Sequence, residues 1–452
     1  MPSPLRQELT FVSATALVVS NMIGTGIFTT TGFLAGDLGR PSLVIAIWLV
    51  GAVVAMAGCL SYAELGINFP QSGGEYVYLK EAWGPGWGFL SGWISFFAGF
   101  AAPVAAGALA FSEYLGHFIP SLSVQAQVPV FGFLHIGAGR LVAVAVIGVF
   151  ALVNVLGLRL AANLQTVLTG FKIGVLGAFL ALAFLVGHGD WNHFTLAAQR
   201  TSAHGVGAQF AVSLIFVMFA YSGWNAATYV AEEMKDPQRT LPLALITGTL
   251  IVTVFYLALN VAFIYALPLE SLKGVVRVGA EAATALFGTA GGGIFSGIMA
   301  VGILSCVSAM VLVGPRVYYA MARDGYFFAG AGKVHSRWHT PVRAILYQAI
   351  ASGVMVLTGT FERLIYYIGF ALILFAALAT AGIFRVRRRP DWKRLRAVSW
   401  GYPLVPGVFI GASLWMLIYT LFLRPIESFL GLLTMGAGGL VYRFMFRKSH
   451  PA

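Results

Sequence analysis

The chain has 452 residues, of which 59% are hydrophobic and only 10% are charged, and its formal net charge is +12. Soluble domains carry about 25% charged residues, so this composition excludes an ordinary soluble domain and indicates a membrane protein with many spans. The positive charge does not indicate a nucleic-acid partner, because the basic residues cluster in short segments between apolar runs. We therefore expect the chain to lie in a lipid bilayer.

Twelve apolar segments are predicted to cross the membrane as helices, since one crossing needs about 20 residues. Their approximate bounds are 8–36, 42–68, 84–116, 138–156, 160–187, 204–231, 240–267, 285–322, 341–358, 361–386, 403–423 and 425–446. The first segment is too long for a signal peptide and has no obvious small-residue cleavage site, so we expect it to stay as the first helix. Cys59 and Cys306 both fall inside spans and indicate no disulfide framework.

The basic residues are distributed unequally between the two sides of the predicted membrane. With the N-terminus inside, 20 of the 28 lysines and arginines, among them Arg447 and Lys448, lie in inward segments, and 7 lie in outward ones. The positive-inside rule favours this orientation. We therefore predict a multi-pass protein of the cell membrane with cytoplasmic N- and C-termini, and we interpret the basic run 385–396 as a cytoplasmic loop.

The first span is interrupted at Gly24-Thr25-Gly26. Each glycine costs about 1 kcal/mol relative to alanine in a helix, and an unwound turn inside a membrane persists only where it lines a polar cavity or is buried in protein. The free N–H and C=O groups of such a turn suit a ligand that carries both a carboxylate and an ammonium. Close helix packing by small residues is the alternative explanation.

A second interruption, at residues 221–225, lies in the sixth span. Each interruption opens a block of five spans, so the two blocks enter the membrane from opposite sides. Matched broken helices in two halves are the best sequence indication of a transporter's binding site. We predict an all-α polytopic membrane protein with two inverted repeats, 8–187 and 204–386, and with the last two spans, 403–446, outside the repeat.

Three carboxylates lie in the connections next to these spans. Glu64 and Glu75 belong to the turn-rich connection after the second span, and Glu233 follows the sixth. For Glu64 and Glu75 we expect pairing with basic residues of neighbouring cytoplasmic loops rather than contact with a substrate. Glu233 is equally consistent with an ion pair of an inner gate and with a plain charge cluster at a helix end.

Several motifs in combination resemble one known family, the L-type amino acid transporter branch of the amino acid–polyamine–organocation superfamily. The matching segments are residues 22–28, 62–66, 70–76, 219–225 with Glu232 and Glu233, and 316–325. The resemblance covers spans one to ten. It implies a LeuT-like fold of five plus five helices, broken in helices one and six, that transports amino acids by alternating access around a central site.

The resemblance also places the substrate between the two interruptions. It implies that the substrate carboxylate binds backbone N–H groups near Thr25 and Gly26, and that the ammonium binds carbonyls of both broken helices. Phe219 takes the position of the family's aromatic gate, and Asn225 that of a polar contact. The implied substrate-binding residues are Met22, Ile23, Gly24, Thr25, Gly26, Phe219, Ala220, Ser222 and Asn225.

Ser222 is a departure from the pattern of the branch, which usually has glycine at this position. The extra side chain is expected either to narrow the pocket or to add a hydroxyl contact. The size of the substrate is therefore open at this point.

Lys172 is the only lysine or arginine in the middle of a predicted span. A lysine at the bilayer centre costs at least about 2.5 kcal/mol, so we expect it to face the bundle and to have a partner. The resemblance implies that its ammonium replaces the ion of sodium-coupled relatives, on carbonyls near residues 22–24 and on a hydroxyl of Ser305 or Ser308. A permanently charged tether and a proton carrier are both open interpretations.

The leading interpretation is a secondary active transporter, a sodium-independent exchanger of neutral amino acids. The alternative is a proton-coupled symporter of amino acids or polyamines. A channel fits less well, because broken helices in an inverted repeat favour a carrier. An enzyme is not predicted, since the sequence has no GxSxG, HExxH or Walker motif. No metal site, cofactor or accessory subunit is indicated.

Overall fold

In the computed structural model the predicted spans are helices whose bounds follow the apolar runs. The structure describes residues 5–116, 118–123, 128–130, 134–275, 277–358, 361–399 and 401–446. The first eight helices are α1 (Phe11–Met22), α2 (Gly26–Leu38), α3 (Pro41–Asn68), α4 (Glu75–Trp83), α5 (Pro85–Ile94), α6 (Ala102–Gly116), α7 (Ala138–Leu156) and α8 (Leu158–Leu185). The others are α9 (Val206–Tyr221), α10 (Pro237–Ala266), α11 (Leu269–Leu272), α12 (Val278–Arg323), α13 (Val342–Thr358), α14 (Phe361–Val386), α15 (Arg396–Ser399), α16 (Leu404–Leu423) and α17 (Pro425–Val441).

Short elements connect or extend these helices. Two π-helical segments are Ser95–Ala101, between α5 and α6, and Tyr442–Phe446, after α17. The 3-10 helices are Pro120–Leu122, Trp191–Thr195, Ala226–Glu233 and Ala329–Gly332. Two strands, β1 (Val128–Val130) and β2 (Leu134–Ile136), form an antiparallel hairpin in which Val128 lies opposite Ile136. This hairpin is a small addition to an otherwise helical protein.

Eleven helical segments of the described part are long and apolar enough to cross a membrane. In this count α1 with α2, α5 with α6, and α9 with the 3-10 helix after it are each taken as one segment. The one remaining predicted span, the ninth at 341–358, is α13, an apolar helix that is shorter, at 17 residues. The prediction of an all-α polytopic membrane protein is confirmed. The grouping of the spans into the repeats 8–187 and 204–386 stays a prediction. Arg447 and Lys448, which we counted in the charge distribution, lie outside the described residues.

The first helix lies at the centre of the bundle, where α1 contacts α8, α10 and α12. Its side chains from residue 14 to residue 22 are all buried. Large apolar side chains on the outer helices are exposed instead, such as Leu185 of α8 at 79% and Phe422 of α16 at 78%. Such faces suit contact with lipid, so the perimeter of the bundle keeps the broken first helix away from the bilayer.

Candidate functional site

The first helix break consists of the three residues between α1 and α2. Ile23 leaves the helical conformation with φ −76° and ψ 87°, and the N–H of Gly24 turns back to the carbonyl of Met22 at 2.9 Å. The first N–H groups of a helix have no acceptor inside the helix. Those of Thr25 and Gly26 find none elsewhere among the described residues. The break therefore presents backbone donors at the positive end of the α2 dipole.

The second break follows α9, which ends at Tyr221. Ser222 is extended, with φ −56° and ψ 145°, and its N–H donates to the carbonyl of Phe219 at 3.0 Å. Gly223 has a φ of 95°, and a Cβ at this residue would lie 2.7 Å from the Cβ of Asn21. Glycine is thus required here both by the backbone conformation and by the close approach of the first helix.

The two breaks are in direct contact with each other. A Cβ on Gly26 would lie 2.8 Å from the Cα of Ala220, a backbone atom that cannot easily move away. The close packing that we weighed as an alternative to ligand binding is therefore present. Close packing does not exclude ligand binding, because the same glycine leaves its own N–H without an acceptor in the described part of the chain.

A cavity of about 140 Å³ lies between the breaks and is bounded on its other sides by α6, α12, α14 and α16. Eight of the nine predicted substrate-binding residues line it: Met22, Gly24, Thr25, Gly26, Phe219, Ala220, Ser222 and Asn225. The ninth, Ile23, lies on a separate small pocket with Lys172. The structure thus brings residues from two distant parts of the sequence together around one space.

Tyr256 of α10 joins the two breaks and was missed by the sequence analysis. Its hydroxyl oxygen lies 2.6 Å from the carbonyl oxygen of Met22 and 2.8 Å from that of Ala220. These are two of the carbonyls that we expected to receive the substrate ammonium. The hydroxyl has one proton, so it donates to one of these two carbonyls at a time. The Met22 carbonyl also accepts the N–H of Gly24, whereas the Ala220 carbonyl keeps a lone pair for a further donor wherever the Tyr256 proton points.

Lys172 of α8 is 4% exposed and reaches the first break from the side away from the cavity. Its ammonium donates to the carbonyl of Ile23 at 2.5 Å and to that of Ser20 at 3.5 Å. The unwound turn frees these carbonyls from the α-helical pattern, and a buried ammonium needs acceptors of this kind. The lysine and the break thus satisfy each other's hydrogen-bonding groups.

The hydroxyl that we expected to join Lys172 has a different partner. The Ser305 hydroxyl forms its hydrogen bond with the Ser20 hydroxyl, and the Gln165 side chain approaches it at 3.4 Å. Ser308 is buried on the same helix, and within the described residues it makes no hydrogen bond to Lys172. Ser20 thus lies between the lysine and α12. Its carbonyl accepts a hydrogen bond from Lys172, and its hydroxyl is hydrogen-bonded to Ser305 of α12.

Ion pairs lie on the face that we predicted to be cytoplasmic. Glu233 accepts hydrogen bonds from two nitrogens of Arg316, at 2.8 Å and 3.0 Å, and both side chains are buried. Of the two interpretations offered for Glu233, the ion pair is therefore the observed one. Glu64 pairs with Arg387 at 3.0 Å, which is the kind of contact with a basic loop residue that we expected.

Glu75 does not pair with any described basic residue of a cytoplasmic loop, contrary to our expectation. It is 5% exposed, forms no ion pair with any described residue and lines the central cavity. Its Oε1 accepts hydrogen bonds from the hydroxyl of Tyr62 at 2.8 Å and from the amide nitrogen of Asn225 at 2.9 Å. Burial raises the pKa of the Glu75 carboxyl to about 7, although these two hydrogen bonds act in the opposite direction.

Comparison with known proteins identifies the family of the chain. Residues 9–437 match the profile of the family described as amino acid permease. The chain belongs to this family. The resemblance to the amino acid–polyamine–organocation superfamily, which rested on a few motifs, is therefore confirmed over almost the whole chain, and the chain is a multi-pass membrane protein of a transporter family.

Named relatives of this amino acid permease are transporters. The serine/threonine exchanger SteT of Bacillus subtilis (strain 168) is 31% identical over 98% of both chains. The large neutral amino acids transporter small subunit 2 of Mus musculus is 29% identical over 97% of this chain and 81% of the relative. The Asc-type amino acid transporter 1 of Mus musculus is 28% identical over 99% of this chain and 83% of the relative.

Proposed function

We propose that this permease is a secondary active transporter that exchanges neutral amino acids across the cell membrane without sodium. The observation that carries the proposal is the cavity between the two breaks. Thr25 and Gly26, whose N–H groups have no acceptor among the described residues, line it together with Met22 and Ala220, which carry carbonyls at the ends of α1 and α9. A zwitterion supplies one anionic and one cationic group to these opposite ends. The relatives, among them a serine/threonine exchanger, support the same conclusion.

The roles of the site residues follow from this geometry. The substrate carboxylate binds at the N-terminus of α2, and its ammonium binds the carbonyls at the ends of α1 and α9. Asn225 adds a polar contact, and Phe219 covers the bound substrate. The side chain of the substrate then lies toward the apolar wall that α6, α14 and α16 form.

Charge in the cavity favours neutral amino acids. Among the described residues that line it, Glu75 is the one Asp, Glu, Lys or Arg, and its carboxylate already accepts hydrogen bonds from Tyr62 and Asn225. A cationic or anionic substrate side chain finds no ready counter-ion there. Sodium independence follows from Lys172, whose ammonium occupies the carbonyls of the first break that a cation would need.

The transport cycle requires that access to the cavity alternate between the two sides of the membrane. With cytoplasmic termini, the Glu233–Arg316 pair lies on the inner side and joins the end of the 3-10 helix after the second break to α12. The backbone of Glu233 also accepts hydrogen bonds from the N–H groups of Glu8 and Leu9, both at 3.0 Å. We assign these contacts to the inner gate, which must separate when substrate is released inward.

Proton-coupled symport is the second candidate function, and the buried carboxyl of Glu75 favours it. A group of this kind beside the substrate changes its protonation state near neutral pH. Exchange and symport differ in what drives uptake, so a single flux experiment separates them.

Purified protein in proteoliposomes provides that experiment. We expect uptake of a radiolabelled neutral amino acid to depend on an unlabelled amino acid inside the vesicle, and to be unchanged when choline replaces sodium. Empty vesicles and vesicles loaded with N-acetylated amino acid are the controls. Uptake into empty vesicles driven by an inward proton gradient would favour symport, and strict sodium dependence would contradict the role given to Lys172.

Phe219→Ala is expected to impair exchange in a folded protein. Phe219 lines the cavity beside the second break and is half-buried, so its truncation removes the cover from the occluded substrate. We expect about a tenfold lower exchange rate, which corresponds to roughly 1.4 kcal/mol. Phe210→Ala, on the same helix but packed against Trp415 away from the cavity, is the matched control. Equal rates for the two variants would show that Phe219 is an ordinary packing residue.

Ser222→Gly is expected to broaden the range of substrates. Ser222 lines the cavity, and its removal leaves more room where the branch usually has glycine. Competition by large neutral amino acids such as leucine and phenylalanine should increase relative to competition by serine. The control is Ser202→Gly, a half-buried serine in the loop before α9 that does not line the cavity. An unchanged competition profile for Ser222→Gly would mean that the hydroxyl does not limit substrate size.

A further inference from the structure

Glu75 is the only Asp, Glu, Lys or Arg among the described residues that line the central cavity. It begins α4, a helix that precedes α5 and is not one of the spans. Buried carboxylates are costly unless they are paired or hydrogen-bonded. The hydrogen bonds from Tyr62 and Asn225 supply that stabilisation, and they connect this carboxylate to a residue of the second break.

Asn225 has both of its amide N–H groups occupied. Its Nδ2 donates to Oε1 of Glu75 at 2.9 Å and lies 3.2 Å from the hydroxyl oxygen of Tyr229. An unprotonated carboxylate only accepts hydrogen bonds, so it forces the nitrogen side of the amide toward itself. The amide oxygen is thereby left for the cavity, which Asn225 also lines.

We infer that Glu75 is a positioning residue of the substrate site, whose carboxylate fixes the Asn225 amide so that its oxygen accepts a hydrogen bond from the substrate. This inference rests on the proposed function. It identifies the substrate group that meets Asn225 as a donor, either the ammonium or a side-chain hydroxyl. It also makes the affinity for substrate depend on a residue that lies outside both helix breaks.

Protonation of Glu75 removes this constraint. A protonated carboxyl has an O–H donor and accepts more weakly, so it no longer forces the amide nitrogen toward itself. Because burial raises the pKa of Glu75 to about 7, the carboxylate predominates above that pH and is lost below it. The affinity for substrate should accordingly be high in alkaline medium and should fall as the pH decreases through about 7.

Among the described residues, no unpaired charged side chain lies next to Glu75. The titratable groups that face it are the phenols of Tyr62, Tyr229 and Tyr78. The nearby charged groups are paired with one another: Lys80 of α4 with Asp324 after α12, and Glu81 of α4 with Arg389 after α14. The pH dependence therefore belongs to Glu75 itself.

The test is the KM and maximal rate of amino acid exchange in proteoliposomes between about pH 5.5 and about pH 8.5. For the wild type we expect KM to rise about fivefold or more from the alkaline to the acidic end, with a smaller change in maximal rate. Glu75→Gln keeps the shape but not the charge, so its KM should be high and nearly independent of pH. Glu81→Gln, on the same helix but in an exposed ion pair, should keep the wild-type profile.

Two results would overturn the inference while the proposed function stands. One is vigorous exchange by the wild type with a KM that does not change with pH. The other is a Glu75→Gln variant with the KM and pH profile of the wild type. Should that variant fail to fold, the wild-type profile alone decides the matter. Absence of any exchange in the wild type would instead contradict the proposed function.

Discussion

Lys172→Ala is expected to abolish most exchange while the protein still reaches the membrane. The ammonium of Lys172 binds the Ile23 carbonyl at 2.5 Å, so the substitution leaves a buried acceptor at the first break without its donor. An unsatisfied buried polar group costs about 1–3 kcal/mol. That cost falls on the turn that positions the N–H groups of Thr25 and Gly26, and we expect the exchange rate to fall about tenfold or more.

The matched control is Lys333→Ala, which removes an exposed lysine from the loop after α12. It should exchange amino acids at the wild-type rate. Expression and the elution profile in detergent should be similar for both variants and the wild type. Wild-type flux in Lys172→Ala would show that the lysine is structural only. Recovery of transport by added sodium would support its place as a substitute for an ion.

Of the proposed substitutions, Glu233→Ala is expected to cause the largest loss of folding stability. It removes one partner of a buried pair with two charge-assisted hydrogen bonds and leaves the Arg316 guanidinium buried without its counter-ion. Breaking such a pair typically costs about 3–5 kcal/mol. We expect a clear decrease in the thermal unfolding midpoint of the purified protein, measured in one detergent at one protein concentration.

The matched control for this variant is Glu81→Ala. Glu81 also pairs with an arginine, Arg389, but both side chains are partly exposed, and Arg389 keeps its bond to the Glu81 carbonyl after the change. Exposed pairs contribute little, so the midpoint should hardly change. The double variant Glu233→Ala/Arg316→Ala should be less destabilised than the sum of the single variants. Equal midpoints for Glu233→Ala and Glu81→Ala would contradict the assignment.

The spans could be predicted from the sequence because their ends are marked locally. The fourth span was predicted at 138–156, and α7 runs from Ala138 to Leu156, between Gly137 and Gly157. Gly157 has a φ of 145°, which only glycine adopts readily, so the helix must end there. Lys172 was identifiable in the same way, because a lysine inside an apolar run needs a partner wherever it lies.

Tyr256 and Glu75 could not be found in this way, because their importance comes from long-range contacts. Tyr256 meets Met22 across 234 positions of sequence, and it is one of 17 tyrosines in the chain. Glu75 meets Asn225 across 150 positions. The sequence shows a carboxylate in a connection, and the usual expectation for such a residue is a pair with a loop arginine. The place of Glu75 at the cavity comes from the turn before α4, where the N–H of Gly73 donates to the carbonyl of Tyr229, beyond the second break.

The central claim is that the two breaks bind an amino acid through its α-carboxylate and its α-ammonium. Competition against radiolabelled exchange tests it most directly, with a free amino acid, its N-acetyl derivative, its amide and the doubly blocked compound. We expect the free amino acid to compete strongly and each single block to weaken competition about tenfold or more, since a charge-assisted hydrogen bond is lost. Strong inhibition by the doubly blocked compound would contradict the account.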